Sequence, residues 1–500
     1  WKFTWESQSH ASVIRLLLFN SDVGLHSVVR DLEVILLLEE SVLLVSFMEN
    51  GTEKVTQLRV QIPRVLIDPD SPPHFNAFDD HIEVKLVLLL PVDHPLVSQV
   101  DSILNLEIDR FRPTADSDLK RLSCIEEVHF YCRHCSSKLT NGLRCFYEMP
   151  SANWRDVADN WFGNCCCSFG GASEKLVASY AKSHVFAPGV GFLSASSLLL
   201  CKSDLLGCKL RDVKVKPKKD SKELSCSRKI SKDGDCLNRV DAESVSGTLS
   251  TEVICGSEDP LNGERDSECC NNLHCDFETV EALSNLQITG ADDEKILENE
   301  RVFLDGYLGD GFMLKSSAVS NEIQWSEYLC SQCSSLIGAY PCIDDNTPLD
   351  GGVRLFKYNI STCVPYGESE DVFRDYSLER AFASQLLESA EDELSYRTIV
   401  RDLKTKSSFL YIVLLNPNLR GCFGNLGAVG THPKLVLNPV IKVLYAENDT
   451  ELVWLLGKDG IDEIYMLSSP TRELVKFLNQ SNFMYPSSYA SLQGMLLSSM

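Results

Sequence analysis

The sequence predicts a β-rich α+β fold, in which an N-terminal β-sandwich precedes an α+β region that a disordered insertion interrupts. Three observations support this prediction: apolar side chains alternate near the N-terminus, two similar cysteine motifs lie far apart, and a polar stretch poor in aromatic residues separates them. The chain has 500 residues. That length exceeds what one hydrophobic core accommodates, so we expect two or three domains.

Residues 1–115 are predicted to form a β-sandwich of about seven short strands. Ile82, Val84 and Leu86 alternate with charged residues, which is the period of a strand with one buried face. Asn50-Gly51 separates two apolar segments, and this dipeptide suits the positive φ angles of a tight hairpin turn. This part of the chain loosely resembles the sandwich of small heat-shock and co-chaperone domains.

Residues 120–212 contain the first cysteine motif and a short predicted helix. Asn153 is placed to cap this helix. Trp154, Val157 and Trp161 then fall on one helical face. Burial of both tryptophans in the protein's own core is the favoured interpretation, and docking of a partner is the alternative.

Residues 213–300 are predicted to be a disordered insertion. Serine, aspartate and glutamate dominate this stretch and aromatic residues are few, so it cannot bury enough apolar area to offset its chain entropy. Its basic start, VKVKPKK at 213–219, is either a nuclear import signal or a solvated run of charge. Its cysteines have no regular ligand spacing.

Residues 301–500 are predicted to be α+β. Ser377 is placed to cap one helix, and Pro470 occupies the tolerated first position of another. Three apolar stretches are expected to be strands: 351–358, 410–415 and 440–445.

The charge balance limits the classes of partner. With 47 basic and 71 acidic residues, the formal net charge is −24. Such a chain repels phosphate backbones, so we expect no general nucleic-acid binding. The best apolar run, at 34–47, is broken by Glu39 and Glu40, and no signal peptide or membrane span is predicted.

Two copies of Cys-x-x-Cys-Ser-Ser form an internal repeat, with Cys132 and Cys135 in one copy and Cys330 and Cys333 in the other. Each motif directs two thiolates to one centre, and tetrahedral zinc takes four such ligands. The sequence therefore predicts a structural zinc site that pins the two parts of the α+β region together. Twenty cysteines in a long chain with an adequate core fit reduced thiols of the cytosol or nucleus.

Three alternatives to one shared site stay open, and a separate cysteine run is ambiguous. The motifs could be redox centres, although neither is predicted to open a helix after a lone strand. The cysteines could also be free thiols of the core. Two separate zinc ions could use Cys145 and Cys342 as additional ligands, and the run at 165–167 is either three buried thiols or a second metal site.

The order of several short motifs resembles the HECT-like ubiquitin-conjugating-enzyme-binding protein family. After the first cysteine motif comes PSANW at 150–154, then LGDGF at 308–312, the second cysteine motif, VRLFKY at 353–358 and VIKVLY at 440–445. The resemblance covers most of the chain apart from the insertion.

The resemblance implies a ubiquitin ligase, of the HECT-like E3 ubiquitin-protein transferase type, or a ligase-like factor. Its expected partners are a ubiquitin-conjugating enzyme (E2) and ubiquitin, with links to cyclin B and to the endonuclease that cleaves pre-messenger RNA before polyadenylation. Cytoplasm and nucleus are the expected compartments. The alternative is a non-catalytic chaperone or assembly factor that binds a client such as that endonuclease.

The chain departs from the family pattern in two respects. The region after the tryptophan helix holds the cysteine run at 165–167 where family members tend to carry Cys-His. No catalytic cysteine is assigned, because a HECT ligase needs an exposed thiolate with a lowered pKa or a nearby base. Cys422 in GCFGN and Cys363 before Val364 are candidates only on very short matches.

Overall fold

A computed structural model describes most of the chain. The described residues are 1–20, 30–48, 55–97, 115–149, 187–210, 311–316, 319, 322–343, 348–349, 351–364, 370–392, 394–426, 435–447 and 460–500. The described residues belong to one compact unit, which falls within Trp1–Asp212 and Ala291–Met500. The predicted insertion and the predicted tryptophan helix lie outside the described residues.

Strands dominate the described part of the chain. In the first 210 residues they are β1 (Lys2–Gln8), β2 (Val13–Phe19), β3 (Arg30–Leu37), β4 (Val42–Met48), β5 (Val55–Gln61), β6 (His74–Ala77), β7 (Ile82–Val87), β8 (Tyr131–Cys132), β9 (Cys145–Glu148), β10 (Val190–Leu193), β11 (Ser197–Cys201) and β12 (Cys208–Leu210). Helix α1 spans Ala115–Ser123, and a 3-10 turn spans Lys202–Asp204.

The C-terminal part adds strands and two longer helices. The strands are β13 (Leu314–Lys315), β14 (Gln324–Cys330), β15 (Leu336–Cys342), β16 (Gly352–Phe356), β17 (Ile360–Ser361), β18 (Arg397–Asp402), β19 (Ser408–Asn425), β20 (Asn438–Glu447), β21 (Ile461–Met466), β22 (Ser491–Leu492) and β23 (Met495–Ser499). The helices are α2 (Leu378–Asp392) and α3 (Ser468–Asn482), and a 3-10 turn spans Lys357–Asn359. No described helix has the length and apolar character needed to cross a membrane.

The largest sheet joins the two ends of the chain. Eight of its eleven strands follow the path β13-β21-β18-β19-β1-β2-β7-β6. Of the other three, β20 pairs with β19, β23 pairs with β20, and β22 pairs with β23. Strand β1 runs antiparallel to β19 along its whole length, with Trp5 opposite Cys422. The pairing crosses the boundary predicted near residue 115, and the domain bounds themselves stay predictions.

The N-terminal sandwich is confirmed as two layers of strands over one core. Strands β3, β4 and β5 form a separate three-stranded sheet. Side chains of both layers meet in one hydrophobic cluster, which includes Trp5, Leu16, Val45, Val60 and Val84. The predicted hairpin pairing is confirmed as well, because β4 and β5 are antiparallel. The turn that joins them lies outside the described residues.

One residue of the alternating strand differs from the prediction. Ile82, Val84 and Leu86 are buried as expected, but Glu83 is also buried. Its carboxylate lies 2.7 Å from Nζ of Lys85, and the Tyr489 hydroxyl donates a hydrogen bond of 3.4 Å to it. The C-terminal segment therefore covers this face of the sheet, which a period-two pattern alone could not reveal.

A buried carboxylate reinforces the junction between the chain's two ends. Glu6 lies 2.6 Å from the Arg15 guanidinium and 2.7 Å from Nζ of Lys442. The Tyr485 hydroxyl donates a further hydrogen bond of 2.8 Å to it. Burial raises the pKa of Glu6, but Lys442 and Arg15 together outweigh that effect and hold the pKa below its usual value.

Both predicted C-terminal helices are confirmed. Ser377 precedes α2, and its Oγ accepts a hydrogen bond of 3.3 Å from the Arg380 N–H. Leu378, Phe382 and Leu386 bury one face of that helix. Helix α3 begins at Ser468, so Pro470 is its third residue and not the predicted first, although the N–H groups of the first turn have no partner within the helix in either case. This helix buries the apolar face that includes Leu474.

Two sheets position the cysteine motifs, one of seven strands and one of two strands. The order of the seven-stranded sheet is β12-β14-β15-β16-β11-β10-β9, so three strands from after the insertion lie between strands from before it. The short pair β8–β17 lies apart from it as a two-stranded sheet. One motif follows β8 and the other follows β14, and both contribute buried cysteines to the same large hydrophobic cluster.

Candidate metal centre

The first cysteine motif forms a tight turn at the end of β8. The Cys132 N–H donates a hydrogen bond of 2.9 Å to the Ser137 carbonyl, and the Ser136 N–H donates one of 2.8 Å to the Cys132 carbonyl. Ser136 has a φ of 58°, in the left-handed region that reverses the chain sharply. The local backbone thus brings Cys135 back beside Cys132.

The second motif repeats this turn at the end of β14. The Cys330 N–H donates 2.8 Å to the Ser335 carbonyl, and the Ser334 N–H donates 3.0 Å to the Cys330 carbonyl. Ser334 has a φ of 59°. The sequence repeat is therefore a structural repeat. Neither turn opens a helix, so the helix N-terminus that often activates a redox Cys-x-x-Cys is absent from both described turns.

The two turns bring four sulfur atoms to one point. Sγ of Cys132 lies 3.7 Å from Sγ of Cys333, and Sγ of Cys135 lies 3.5 Å from Sγ of Cys330. All four sulfurs lie within 4.8 Å of one another. A tetrahedral metal with bonds of about 2.3 Å to sulfur separates its ligands by about 3.8 Å. The cluster therefore fits a metal ion with four thiolate ligands.

Burial differs within each pair of cysteines. Cys132 and Cys330 are buried, and burial raises the pKa of both thiols. Cys135 and Cys333 are exposed. A hydrogen bond from the Ser137 hydroxyl is the largest cause that lowers the pKa of Cys135 to about 6. The cluster thus has an inner pair in the core and an outer pair that solutes in water can reach.

Each turn is held from the side by another strand. Cys132 pairs with Ile360 across β8 and β17, and the next N–H donates 3.1 Å to the Asn359 carbonyl. Cys330 pairs with Cys208 across β12 and β14, and the next N–H donates 2.8 Å to the Gly207 carbonyl. The flanking strands extend the repeat beyond the two cysteine motifs.

Residues 205–210, which we call the bridging segment, connect the two turns. The Leu206 N–H donates 2.8 Å to the Leu139 carbonyl beyond the first turn, and β12 pairs with the second. Gly207 has no room for a side chain, since a Cβ there would lie 2.3 Å from the Lys138 carbonyl oxygen. Sequence reasoning missed this segment, and a glycine beside a cysteine was the one signal it offered.

Cys208 lies opposite Cys330 on the neighbouring strand, whereas Cys342 and Cys145, the candidate additional ligands, have other surroundings. Sγ of Cys342 donates to the Gln324 carbonyl at 3.4 Å, and Cys145 lies on β9 opposite Val190. In those ranges the four-cysteine group is the one set of three or more potential ligands. The two-ion alternative therefore gains no support. The cysteine run at 165–167 lies outside the described residues.

Comparison with known families places the site in a larger context. A family model described as HECT-like ubiquitin-conjugating enzyme (E2)-binding matches residues 51–229 and 282–496. The chain belongs to this family. No curated protein matches the chain. Both cysteine turns, the bridging segment and the flanking strand β17 lie within the matched ranges of this HECT-like E2-binding protein.

One motif of the HECT-like E2-binding protein carries a buried ion pair. The VRLFKY stretch spans β16 and the turn that follows, and Lys357 within it is fully buried. Nζ of Lys357 lies 2.8 Å from Oδ2 of Asp118 on α1 and donates 3.2 Å to the Tyr376 hydroxyl. The Tyr376 hydroxyl also donates to the same carboxylate oxygen. Of the other motifs, VIKVLY lies on β20, PSANW lies outside the described residues and LGDGF lies mostly outside them.

Both candidate nucleophiles are partly buried. Cys422 sits on β19 and packs against the N-terminal core. Burial raises the pKa of its thiol, the opposite of the shift that activates a nucleophile. Cys363 is partly buried after β17, and its N–H donates 3.2 Å to Oγ of Ser361.

Proposed function

We propose that this HECT-like protein binds a ubiquitin-conjugating enzyme and acts as a ligase-like factor that promotes ubiquitin transfer. The observation that carries the proposal is the family match, which spans both cysteine turns and the strands that hold them. A net charge of −24 suits a partner with a basic surface. Cytoplasm and nucleus are the proposed compartments.

The metal is proposed to be zinc in a structural role. Four thiolates at tetrahedral separations complete the shell that structural zinc prefers and leave no open position for a substrate. The ion would be held by Cys132, Cys135, Cys330 and Cys333, whose chain segments are joined through the insertion. Binding energy at such a site is folding energy, so zinc would stabilise the surface that receives the E2.

Ubiquitin is proposed to pass from the E2 thioester directly to a lysine while the protein holds the E2. The raised pKa of Cys422 argues against a thioester on that residue. The four clustered thiols are ligands in this proposal, and a zinc-bound thiolate is a poor acceptor for ubiquitin. The protein's own residues would then act by binding and orientation.

The test combines capture of the E2 with discharge of its ubiquitin. The purified chain is mixed with E2s charged with ubiquitin, and loss of the E2 thioester is followed with lysine as acceptor. We expect capture and faster discharge with the wild type and with Cys422→Ser. Cys132→Ser should lose zinc and the acceleration together. Failure to capture any E2 from a complete panel would refute the proposal.

A second candidate is a non-catalytic chaperone or assembly factor. The position of Cys422 in a hydrophobic cluster favours it, because binding a client requires no activated thiol. The client proposed is the polyadenylation endonuclease or cyclin B. Stable binding of such a client without any effect on E2 discharge would favour this candidate over the first.

A further inference from the structure

Arg133 occupies the position after the first cysteine and reaches across to the C-terminal part of the chain. Its Nε donates 2.9 Å to the Ile360 carbonyl, and its Nη1 donates 2.6 Å to the Tyr376 carbonyl. Its Nη2 donates to the Phe373 carbonyl as well. All three acceptors belong to buried residues. One planar guanidinium therefore satisfies three backbone carbonyls, each through a different nitrogen.

The acceptors belong to what we call the clamped segment, residues 359–364 and 370–376. A buried carboxylate organises its second half, since Oδ1 of Asp371 accepts 3.1 Å from the Phe373 N–H and 3.0 Å from the Thr362 N–H. The Arg121 side chain of α1 donates 3.0 Å to the Val372 carbonyl. Polar contacts thus determine the path of this segment, and the contacts of Arg133 connect it to the first cysteine turn.

The two cysteine turns differ in how they are anchored. In the second turn the residue equivalent to Arg133 is Ser331, which is exposed and joins its flanking strand through its backbone N–H alone. That turn is also secured by three residue pairs between β12 and β14, whereas β8 and β17 share two. The first turn therefore depends more on a side chain for its position.

We infer that Arg133 is the positioning residue of the metal centre and couples metal binding to the order of the clamped segment. The guanidinium fixes the turn that carries Cys132 and Cys135, so that both sulfurs face the second turn before the metal arrives. Coupling of this kind is reciprocal: the bound metal fixes the turn, and the fixed turn orders the clamped segment. The inference rests on the proposed zinc site.

Zinc affinity of the full chain, measured by competition with a chromophoric chelator, tests the first half of the inference. We expect Arg133→Ala to weaken zinc binding by about 10–100-fold, the range found when residues that support metal ligands are removed. Arg133→Lys should recover only part of the loss, because one ammonium cannot span three carbonyls. Ser331→Ala and Arg144→Ala, which both alter exposed residues, should leave the affinity unchanged.

Hydrogen exchange of the wild type tests whether metal binding orders the clamped segment, and it needs no variant. Removal of zinc by a chelator should increase deuterium uptake in peptides that cover 371–376, while β4 in the separate sheet stays protected. Unchanged protection of 371–376, or wild-type zinc affinity in folded Arg133→Ala, would overturn the inference. A wild-type chain that binds no zinc would instead refute the zinc proposal, and the two failures are thereby distinct.

Discussion

Replacement of Lys357 by methionine should destabilise the protein strongly. Lys357 is fully buried, and its ammonium lies 2.8 Å from the carboxylate of Asp118, which is 2% exposed. Loss of one partner leaves the other charge buried without its counter-ion, which typically costs about 3–5 kcal/mol. The Tyr376 hydroxyl would still donate to the carboxylate, so we expect the lower half of that range, about 3–4 kcal/mol.

The ion pair of Lys357 and Asp118 can also be removed without leaving an unpaired buried charge. In the double variant Lys357→Met with Asp118→Leu, both charges are gone, although the Tyr376 hydroxyl loses the carboxylate that accepts its hydrogen bond. Replacement of buried pairs by apolar groups is often neutral or stabilising. We therefore expect the double variant to be more stable than Lys357→Met alone, which is a favourable coupling between the two substitutions.

Urea unfolding of the zinc-loaded chain, followed by fluorescence, gives the free energy of each variant. The matched control is the pair Arg59–Glu40. Its separation of 2.7 Å is similar, but both of its side chains are more than half exposed. Arg59→Met should cost less than about 1 kcal/mol. If Lys357→Met costs no more than this control, the reasoning from burial is refuted.

Three further predictions concern other parts of the fold. Gly207→Ala should lower stability by about 1–3 kcal/mol in the same assay, because its Cβ would meet the Lys138 carbonyl oxygen at 2.3 Å. An unchanged urea midpoint would contradict the close packing of the bridging segment against the first turn. Glu6 has a folded pKa below 4.5 owing to its two cationic neighbours, so the stability it contributes is complete above pH 4.5 and lost as the pH falls through the folded pKa. The difference in the free energy of unfolding between wild type and Glu6→Gln should therefore become smaller below that pH. A difference that grows would show that the folded pKa of Glu6 is not lowered. Burial raises the pKa of Cys208 to about 12, so maleimide should label it at pH 8 at least about a hundredfold more slowly than exposed Cys124, as peptide mass spectrometry can measure.

The sequence predicted the features that depend on short spacing. Cys132 and Cys135 are three positions apart, and the turn between them is set by local hydrogen bonds, so the motif alone indicates where their sulfurs point. The cap of α2 and the apolar faces of α2 and α3 follow for the same reason, since a helix depends on neighbours three and four residues away. The family could be recognised because several such local motifs occur in a fixed order.

Long-range pairings had no comparable signal. Strand β12 meets β14, and β1 meets β19, across more than a hundred residues of chain, and nothing in either strand's composition specifies its partner. Burial of Glu83 follows from the C-terminal segment that covers it. Arg133 could not be distinguished from an exposed charge, because the carbonyls that it binds lie more than 200 residues away in the sequence.

The pairing of β1 with β19 has a consequence for how the chain folds during synthesis. Strand β1 leaves the ribosome about 400 residues before the strand that completes its pairing, a delay of about 20–80 s at usual rates of translation. During that interval the edge of β1 that will pair with β19 has no partner strand, and apolar side chains of its sheet lack the neighbour that will cover them. The newborn N-terminal half is thus a natural substrate for chaperones, and its maturation is set by the arrival of residues 408–425.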